Sequence, residues 1–307
     1  MATSPQITYD TVGIKEDVSE VIGLISPFDT PCYSGWKKPA CHNTIVQWQE
    51  DALRAPAPNA AVEGSDVSMS DYNPTVMKDN RTQLFEETAQ VSSTVQATDR
   101  YGRGSEMDYR VMKKSREVRR DIEYAFVGAN QAKAAGDAST ARTLGGAQSL
   151  IDVVDDNSGV ARDFDESQVL AVHQALYEAG GEPNVLMVPP VHAISVANFA
   201  YSAGRARDFA NDTTIMNVVD LYVSPFGSLS VVTNKWVRQG AAGACDVFLF
   251  EMGRWFIPSL QPMSSEPLAK TGHSEKRLIS AELSLGHENA SASGYITDLN
   301  NTVPAVS

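Results

Sequence analysis

The chain has 307 residues and a formal net charge of −13, with 42% hydrophobic and 21% charged residues. That balance is the one found in a soluble globular protein of one elaborate domain or two ordinary ones. It excludes a membrane span, because no stretch approaches the ~18–20 apolar residues one requires, and it argues against a general DNA-coating protein, whose affinity needs net basic surface.

Taken in chain order, residues Met1 to Asp10 are polar and lack the basic-then-apolar layout of a signal peptide, so the protein is expected to stay in the compartment where it is made. The first forty residues are punctuated and poorly periodic. Val18, Val21, Ile22 and Ile25 permit a short helix, broken by Ser26-Pro27 and Thr30-Pro31, and the whole segment is expected to be an extended arm. Two strand-like runs follow, Thr44 to Glu50 with Val46 and Trp48 at period two, and Leu84 to Val95. Between them Ala55 to Arg81 is rich in small and polar residues, which predicts a long loop at the end of a hairpin projecting from the body.

Ser105 to Ala129 then reads as one helix, roughly 37 Å long at about 1.5 Å per residue. Ser105 and Asp108 form a capping-box-like start, and Met107, Val111, Val118, Ile122 and Phe126 recur at helical spacing as a buried stripe. Arg110, Lys113, Lys114, Arg116, Arg119 and Arg120 fall within eleven positions that hold one acid, Glu117. A long rod with such a concentrated basic face has something to lie against.

A compact mixed unit is predicted from about Phe164 to Gly243. Asp165 with Gln168 caps a helix lined by Val169, Val172, Leu176 and Tyr177 and stopped at Gly180-Gly181; Val185 to Val188 is a short buried strand; a helix covers Val191 to Ala203; strands at Leu221 to Val223 and Leu229 to Val237 flank the turn Pro225-Phe226-Gly227. Two long strands close the chain, Val247 to Ile257 and Leu278 to Leu285, joined by the polar linker Pro258 to Arg277. Ile279, Ala281, Leu283 and Leu285 share one face, so these strands are expected to return beside the long helix, leaving the unit near 164–243 as an insertion.

The residues offer no support for catalysis. His42, His173, His192, His273 and His287 never occur at metal-binding spacing, there is neither a G-x-S-x-G elbow nor a P-loop, and Gly102-Arg103-Gly104 lacks the third glycine of a dinucleotide fingerprint. Asp152, Asp155, Asp156, Asp163, Asp165 and Glu166 form the one acidic group to weigh as metal ligands, and a solvated turn plus a helix cap accounts for them. Cys32, Cys41 and Cys245 have no C-x-x-C spacing, which predicts free, mostly buried thiols in a reducing cytoplasm.

The order of arm, hairpin, long helix, inserted unit and returning strands resembles the Hong Kong 97-type major capsid protein of tailed bacteriophages. Particular blocks resemble the family typified by the phage SU-ten major head protein: Thr8-Tyr9-Asp10 with Val12 to Asp17, Ile25 to Pro31, Gln47 to Leu53, Asn59 to Gly64, Asp220-Leu221-Tyr222 with Phe226-Gly227 and Asn234, and Leu268 to Gly272 followed by Glu275-Lys276-Arg277. The resemblance implies an α+β fold with an N-terminal arm (1–43), an E-loop hairpin (44–103), a P-domain with the spine helix (104–163), an inserted A-domain (164–244), P-domain long strands (245–300) and a C-terminal tail (301–307). It implies a virion shell built of hexamers and pentamers around double-stranded DNA, made in a bacterial cytoplasm, with a separate scaffolding protein, a portal and a decoration protein as partners, no membrane and no cofactor.

Under that reading the basic residues of the spine helix meet acidic groups of a neighbour's hairpin, Glu63, Asp66 or Asp71, and Lys270 in the closing motif belongs to the same set of assembly contacts. Two other readings compete: a nanocompartment shell of the same fold enclosing protein cargo, and an acidic metal-dependent enzyme using Asp152 to Glu166.

Overall fold

The computed structural model describes residues 29–64, 66, 74–98, 104–202 and 221–303. The short helix expected around Val18 to Ile25, Asp71, and Gly102-Arg103 lie outside the described residues.

The chain enters the body through a short helix, α1 (Pro31–Gly35), then forms a hairpin of β1 (Ile45–Glu50) and β2 (Val76–Arg81), paired antiparallel from Ile45↔Arg81 to Glu50↔Val76. β2 lies within the stretch expected to be loop. Its four consecutive polar residues, Lys78 to Arg81, hide the strand, because Asn80 points a buried amide into the body where an apolar residue would be expected. β3 (Gln83–Ser92) does not complete the hairpin but pairs with β11 (Ser274–Leu283), the middle strand of a three-stranded sheet whose other edge is β10 (Ser259–Pro267). The polar segment read as a linker therefore contains β10, and its prolines and bulges belong to a sheet edge.

After the short helix α2 (Ser93–Ala97) comes the spine, α3 (Glu106–Val127). Ser105 is its N-cap, accepting from the Asp108 N–H at 3.2 Å. Gly128 follows the last turn because the Trp236 carbonyl and the Tyr124 ring occupy the space a side chain would need. Met107, Val118, Ile122 and Phe126 are buried and Val111 is half-buried, as the periodicity predicts.

The largest sheet has six strands in the order β4 (Val153–Asp155), β13 (Gly294–Leu299), β8 (Cys245–Phe250), β5 (Val185–Val188), β7 (Gly227–Thr233), β6 (Leu221–Ser224). β4 runs parallel to β13 and β5 parallel to β7, the other pairings being antiparallel. Both faces are covered. Phe248, Phe250 and Met187 turn toward α3 and the three-stranded sheet, while Val247, Leu249, Leu186 and Val188 turn toward α4 (Glu166–Ala179) and the core beside α5 (Pro190–Ser202). All six residues of β8 are therefore buried, which is why that stretch reads as an unbroken apolar run.

Two expectations are corrected here. Val247 to Ile257 is not one strand: β8 ends at Phe250, a 3-10 turn covers Met252–Arg254, and β9 (Trp255–Phe256) pairs with β12 (Gly286–His287). The six-stranded sheet itself takes strands from both sides of residue 244. Tyr177, placed by spacing on the buried face of α4, is exposed against Phe226, the ring centroids 5.7 Å apart. The capping box of Asp165 and Gln168 and the left-handed Gly180 after α4 are both present. Ile279, Ala281, Leu283 and Leu285 are buried in one core with Val118, Ile122 and Phe126 of the spine.

Candidate assembly surface

The surface is organised by the spine helix, and its inner side is a buried acid. Glu123 is fully buried and accepts hydrogen bonds from the Cys32 N–H at 3.0 Å, the Tyr33 N–H at 2.8 Å and the Asn234 amide at 2.8 Å. These satisfy two amides at the start of α1 that have no partner within the helix. Burial pushes the Glu123 carboxyl above the ordinary carboxylate range, and the Tyr33 and Cys32 amides act against that shift. One turn further on, Trp36 sits 4.9 Å from Trp255 in a stacked pair and 5.6 Å from both Phe126 and Phe250. The Ile257 N–H donates to the Lys37 carbonyl at 2.7 Å, and the Ser259 N–H to the Pro39 carbonyl at 2.9 Å. The part of the expected arm at residues 29–41 thus packs on its own chain, with Thr30, Cys32 and Trp36 buried. The signal was present in Cys32 and Trp36, apolar groups at helical spacing inside a segment judged by its prolines.

The six basic residues do not form one face. At about 100° per residue, Lys113, Arg116 and Arg120 lie opposite the buried stripe, while Arg119 flanks it on one side and Arg110 and Lys114 on the other. Arg110 bonds Glu106 at 3.0 Å and the Gln90 carbonyl at 3.0 Å. Lys114 lies 2.7 Å from Glu117 and 3.2 Å from Glu87 of β3, and Glu117's hydrogen bond, with Glu87's help, holds its ammonium above the ordinary value. These two cations fasten the spine to the three-stranded sheet. The Arg120 guanidinium lies 5.4 Å from the Trp236 ring centroid, and the Trp236 indole donates to the Asp29 carbonyl at 2.8 Å. Lys113 and Arg119 are exposed.

Arg116 and Arg119 line an open cleft of about 600 Å³ together with Asp29, Thr30, Ser34, Val232 and Thr233, so that α1, α3 and the end of β7 meet there. Lys38, which the sequence reading did not include, lines a separate open pocket with Pro39, Trp48, Phe256 and Glu288, its ammonium 4.3 Å above the Tyr33 ring. Burial and then the charge of Arg119 push it below the ordinary lysine value.

Of the acidic partners named from sequence, Glu63 and Asp66 are exposed on the loop between β1 and β2. Residues 51–64 are exposed throughout, Leu53 at 98% and Val62 at 79%. Lys270 sits at the turn between β10 and β11 and pairs with Glu275 at 2.9 Å. At the opposite end of the hairpin the anchorage is dense. The Asn80 amide donates to the carbonyls of Gly145 and Leu285 at 3.1 and 2.7 Å and its oxygen accepts from Gly145 N–H at 2.8 Å. The Thr82 hydroxyl donates to Glu282 at 2.7 Å, and Arg142 pairs with the same carboxylate. The hairpin thus has a firmly held base, while residues 51–64 beyond it are exposed.

The acidic group from Asp152 to Glu166 is dispersed. Asp152 is 3.6 Å from Lys78, Asp155 bonds Arg162 at 3.0 Å, Asp163 accepts from Asn300 at 2.8 Å, Asp165 caps α4, and Glu166 accepts from the Tyr222 hydroxyl at 2.8 Å. Among the described residues no group of three or more His, Cys, Asp or Glu side chains could hold a metal ion, and no helix is long and apolar enough to cross a membrane. Cys32 and Cys245 are buried, Cys41 half-buried, and all three are free thiols.

Comparison with known proteins agrees with the fold. The SU10 major capsid protein family matches residues 5–300. The major capsid protein of Escherichia phage Phieco32 is 30% identical, covering 94% of this chain and 96% of its own. Among solved structures, the capsid of cyanophage A-1(L) aligns with a TM-score of 0.66 at 10% identity, over 95% of this chain and 98% of the other. An encapsulin from Synechococcus elongatus aligns at 0.61 and 9% identity, over 94% of each chain.

Proposed function

Since the chain belongs to the SU10 major capsid protein family, the structural protein of a phage head, we propose that its copies assemble as hexamers and pentamers into a closed shell around double-stranded DNA. The observation that carries this reading is the pairing of an exposed, acid-bearing hairpin tip with a cation-lined helix on one subunit. The hairpin residues 51–64 and, on the helix, Lys113 and Arg119 are exposed on the subunit, and the two surfaces complement each other in charge. Contacts that are individually weak suit a shell, because they permit correction before closure.

The spine helix is then the wall's joining element. Lys113 and Arg119 are the exposed cations offered to a neighbour's Glu63, Asp66 or Asp71, with the half-buried Arg116 and Arg120 beside them, while Arg110 and Lys114 hold the helix to its own sheet. The turn carrying Lys270 is a second exposed contact. A scaffolding protein, a portal and a decoration protein complete the partners, synthesis takes place in the bacterial cytoplasm, and the role is structural, without enzymatic activity. The nanocompartment reading shares the fold; the family match over residues 5–300 favours the phage head.

Replacing Lys113, Arg116 and Arg119 together by alanine, with Arg110 and Lys114 left to hold the helix to its sheet, should abolish particles in negative-stain micrographs. Normal shells that fail only to retain DNA would overturn the neighbour-contact reading.

A further inference from the structure

We infer that the Ser293 hydroxyl and the His287 imidazole form a proton-operated latch on the short ladder of β9 and β12, closed while the ring is neutral and opened locally when the ring takes up a proton.

The inference stands on the donors and acceptors around one oxygen. A serine hydroxyl has one proton to give and two lone pairs to receive. At Ser293 both lone pairs are claimed by groups that can only donate, the Trp255 indole N–H at 3.0 Å and the Glu251 backbone N–H at 3.2 Å. The third neighbour is Nε2 of His287 at 3.1 Å. The hydroxyl proton therefore goes to Nε2, which fixes the ring as the neutral tautomer with its proton on Nδ1. Ser293, His287 and Trp255 are all buried, so these bonds are made away from bulk water.

Protonation turns Nε2 into a third donor toward an oxygen with no lone pair left. One of the three N–H groups then loses its acceptor, which is costly in the interior. The ladder at stake is short. β9 and β12 share the pairs Phe256↔Gly286 and Trp255↔His287, and the imidazole stacks on the Trp255 ring at 4.1 Å. A second buried Ser–His pair shows a tolerant arrangement. Ser224 bonds Nδ1 of His173 at 2.9 Å, but it receives one backbone N–H, from Phe226 at 3.2 Å, and its own proton has the Gly227 carbonyl at 3.1 Å. A lone pair remains for an Nδ1–H, so that oxygen can serve a charged ring.

The charged groups around His287 are already committed elsewhere. Arg254 and Glu251 pair with each other at 2.8 Å, and the Glu288 N–H donates to the Arg254 carbonyl at 3.0 Å. Glu288 shares an open pocket with Lys37 and Lys38, on the segment bridged to Phe256. Residues 147–151 contain no titratable side chain; they lead to Asp152, whose N–H donates to the Ala290 carbonyl at 3.0 Å and whose carboxylate lies 3.6 Å from Lys78. Glu282, at the end of β11, is paired with Arg142. Burial, with the like charge of Arg254 in the same direction, holds the ring pKa at about 4 against the pull of the Leu150 carbonyl.

The test uses the full chain with isotopically labelled histidine and tryptophan, and hydrogen exchange expressed as protection factors, which removes the intrinsic pH dependence of exchange. At pH 7 the nitrogen shifts of His287 should show Nε2 bare and Nδ1 protonated. Between pH 7 and pH 4 the Trp255 indole and the Glu251 amide should lose protection about 100-fold, the ratio expected when opening returns a ring of pKa about 4 to its ordinary value. The amides of Phe248 and Leu249 in β8 should keep theirs. His287→Gln offers Ser293 an acceptor that does not titrate, so both N–H groups should stay protected at pH 4; His173→Gln should lose them as the parent does. A proton on Nε2 at pH 7 would overturn the latch, as would equal protection at both pH values in the parent, the same loss in His287→Gln, or a loss shared equally by β8. The nitrogen shifts and the β8 comparison are read on the parent chain, so they decide the matter even where a variant does not fold.

Discussion

The carboxylate of Glu123 on the spine helix accepts the Tyr33 N–H at 2.8 Å, across ninety positions of sequence. Through this bond and its neighbour to Cys32 the first described helix is tied to the longest one. Glu123→Gln keeps the shape but turns an amide donor toward donors. We expect a loss of about 1–3 kcal/mol in denaturant unfolding, with hydrogen exchange accelerated first at the Cys32 and Tyr33 amides. Unchanged protection there would refute the anchoring role.

Trp36 fills the same junction with carbon. Its contacts with Phe126, Phe250 and Trp255 predict that Trp36→Ala costs about 3–5 kcal/mol, measurable as a lowered urea midpoint. A loss below about 1 kcal/mol would mean that α1 packs independently of the core.

The hairpin base makes a separate prediction. Asn80→Ala leaves the Gly145 N–H and two carbonyls without their partner, at about 1–3 kcal/mol for each buried group left unpaired. Exchange should quicken throughout Ile45–Glu50 and Val76–Arg81 while β8 remains protected. Uniform loosening of both would place Asn80 in the global core instead.

Acid sensitivity follows from His287. Burial pushes its pKa down to about 4, and the ring is stacked 4.1 Å from Trp255 and bonded to Ser293 at 3.1 Å. Its folded-state value lies below its unfolded one, so its contribution is fully present above about pH 6.5 and is lost as pH falls toward 4. The size is on the order of 3 kcal/mol across that window. His287→Gln should flatten the pH dependence of the unfolding free energy between pH 6.5 and 4 relative to the parent chain. Glu123 and Asp246 act in the opposite sense, since burial raises both carboxyls, so the difference between variant and parent is the quantity to measure. An identical slope in both proteins would remove His287 from the account.

Much of this architecture is legible in the chain itself. The spine helix, its Ser105 cap, the Asp165–Gln168 box, the buried strand Val185 to Val188 and the buried alternation of β11 all depend on local spacing and capping, which neighbouring residues dictate whatever the rest of the protein does. Ordered sequence blocks carried the family. What local pattern misled on was β2, hidden because its core contact is an amide; β10, hidden by prolines tolerated at a sheet edge; and β8 and β9, merged because a strand covered on both faces loses its alternation.

The spacing of the chain determined a long amphipathic rod with six basic residues and an acidic loop before it, and its ordered sequence blocks carried the family. Only the tertiary structure decided which of those charges are already used. Arg110 and Lys114 are neutralised by Glu106, Glu87 and Glu117; Glu123 is withdrawn from the surface to hold α1; Trp236 is brought from over a hundred positions later to lie 5.4 Å from Arg120. The reason is physical. Helical periodicity fixes which residues share a side of the rod, but the energy of a charge depends on its distance to other charges and to water, and both are set by segments remote in sequence.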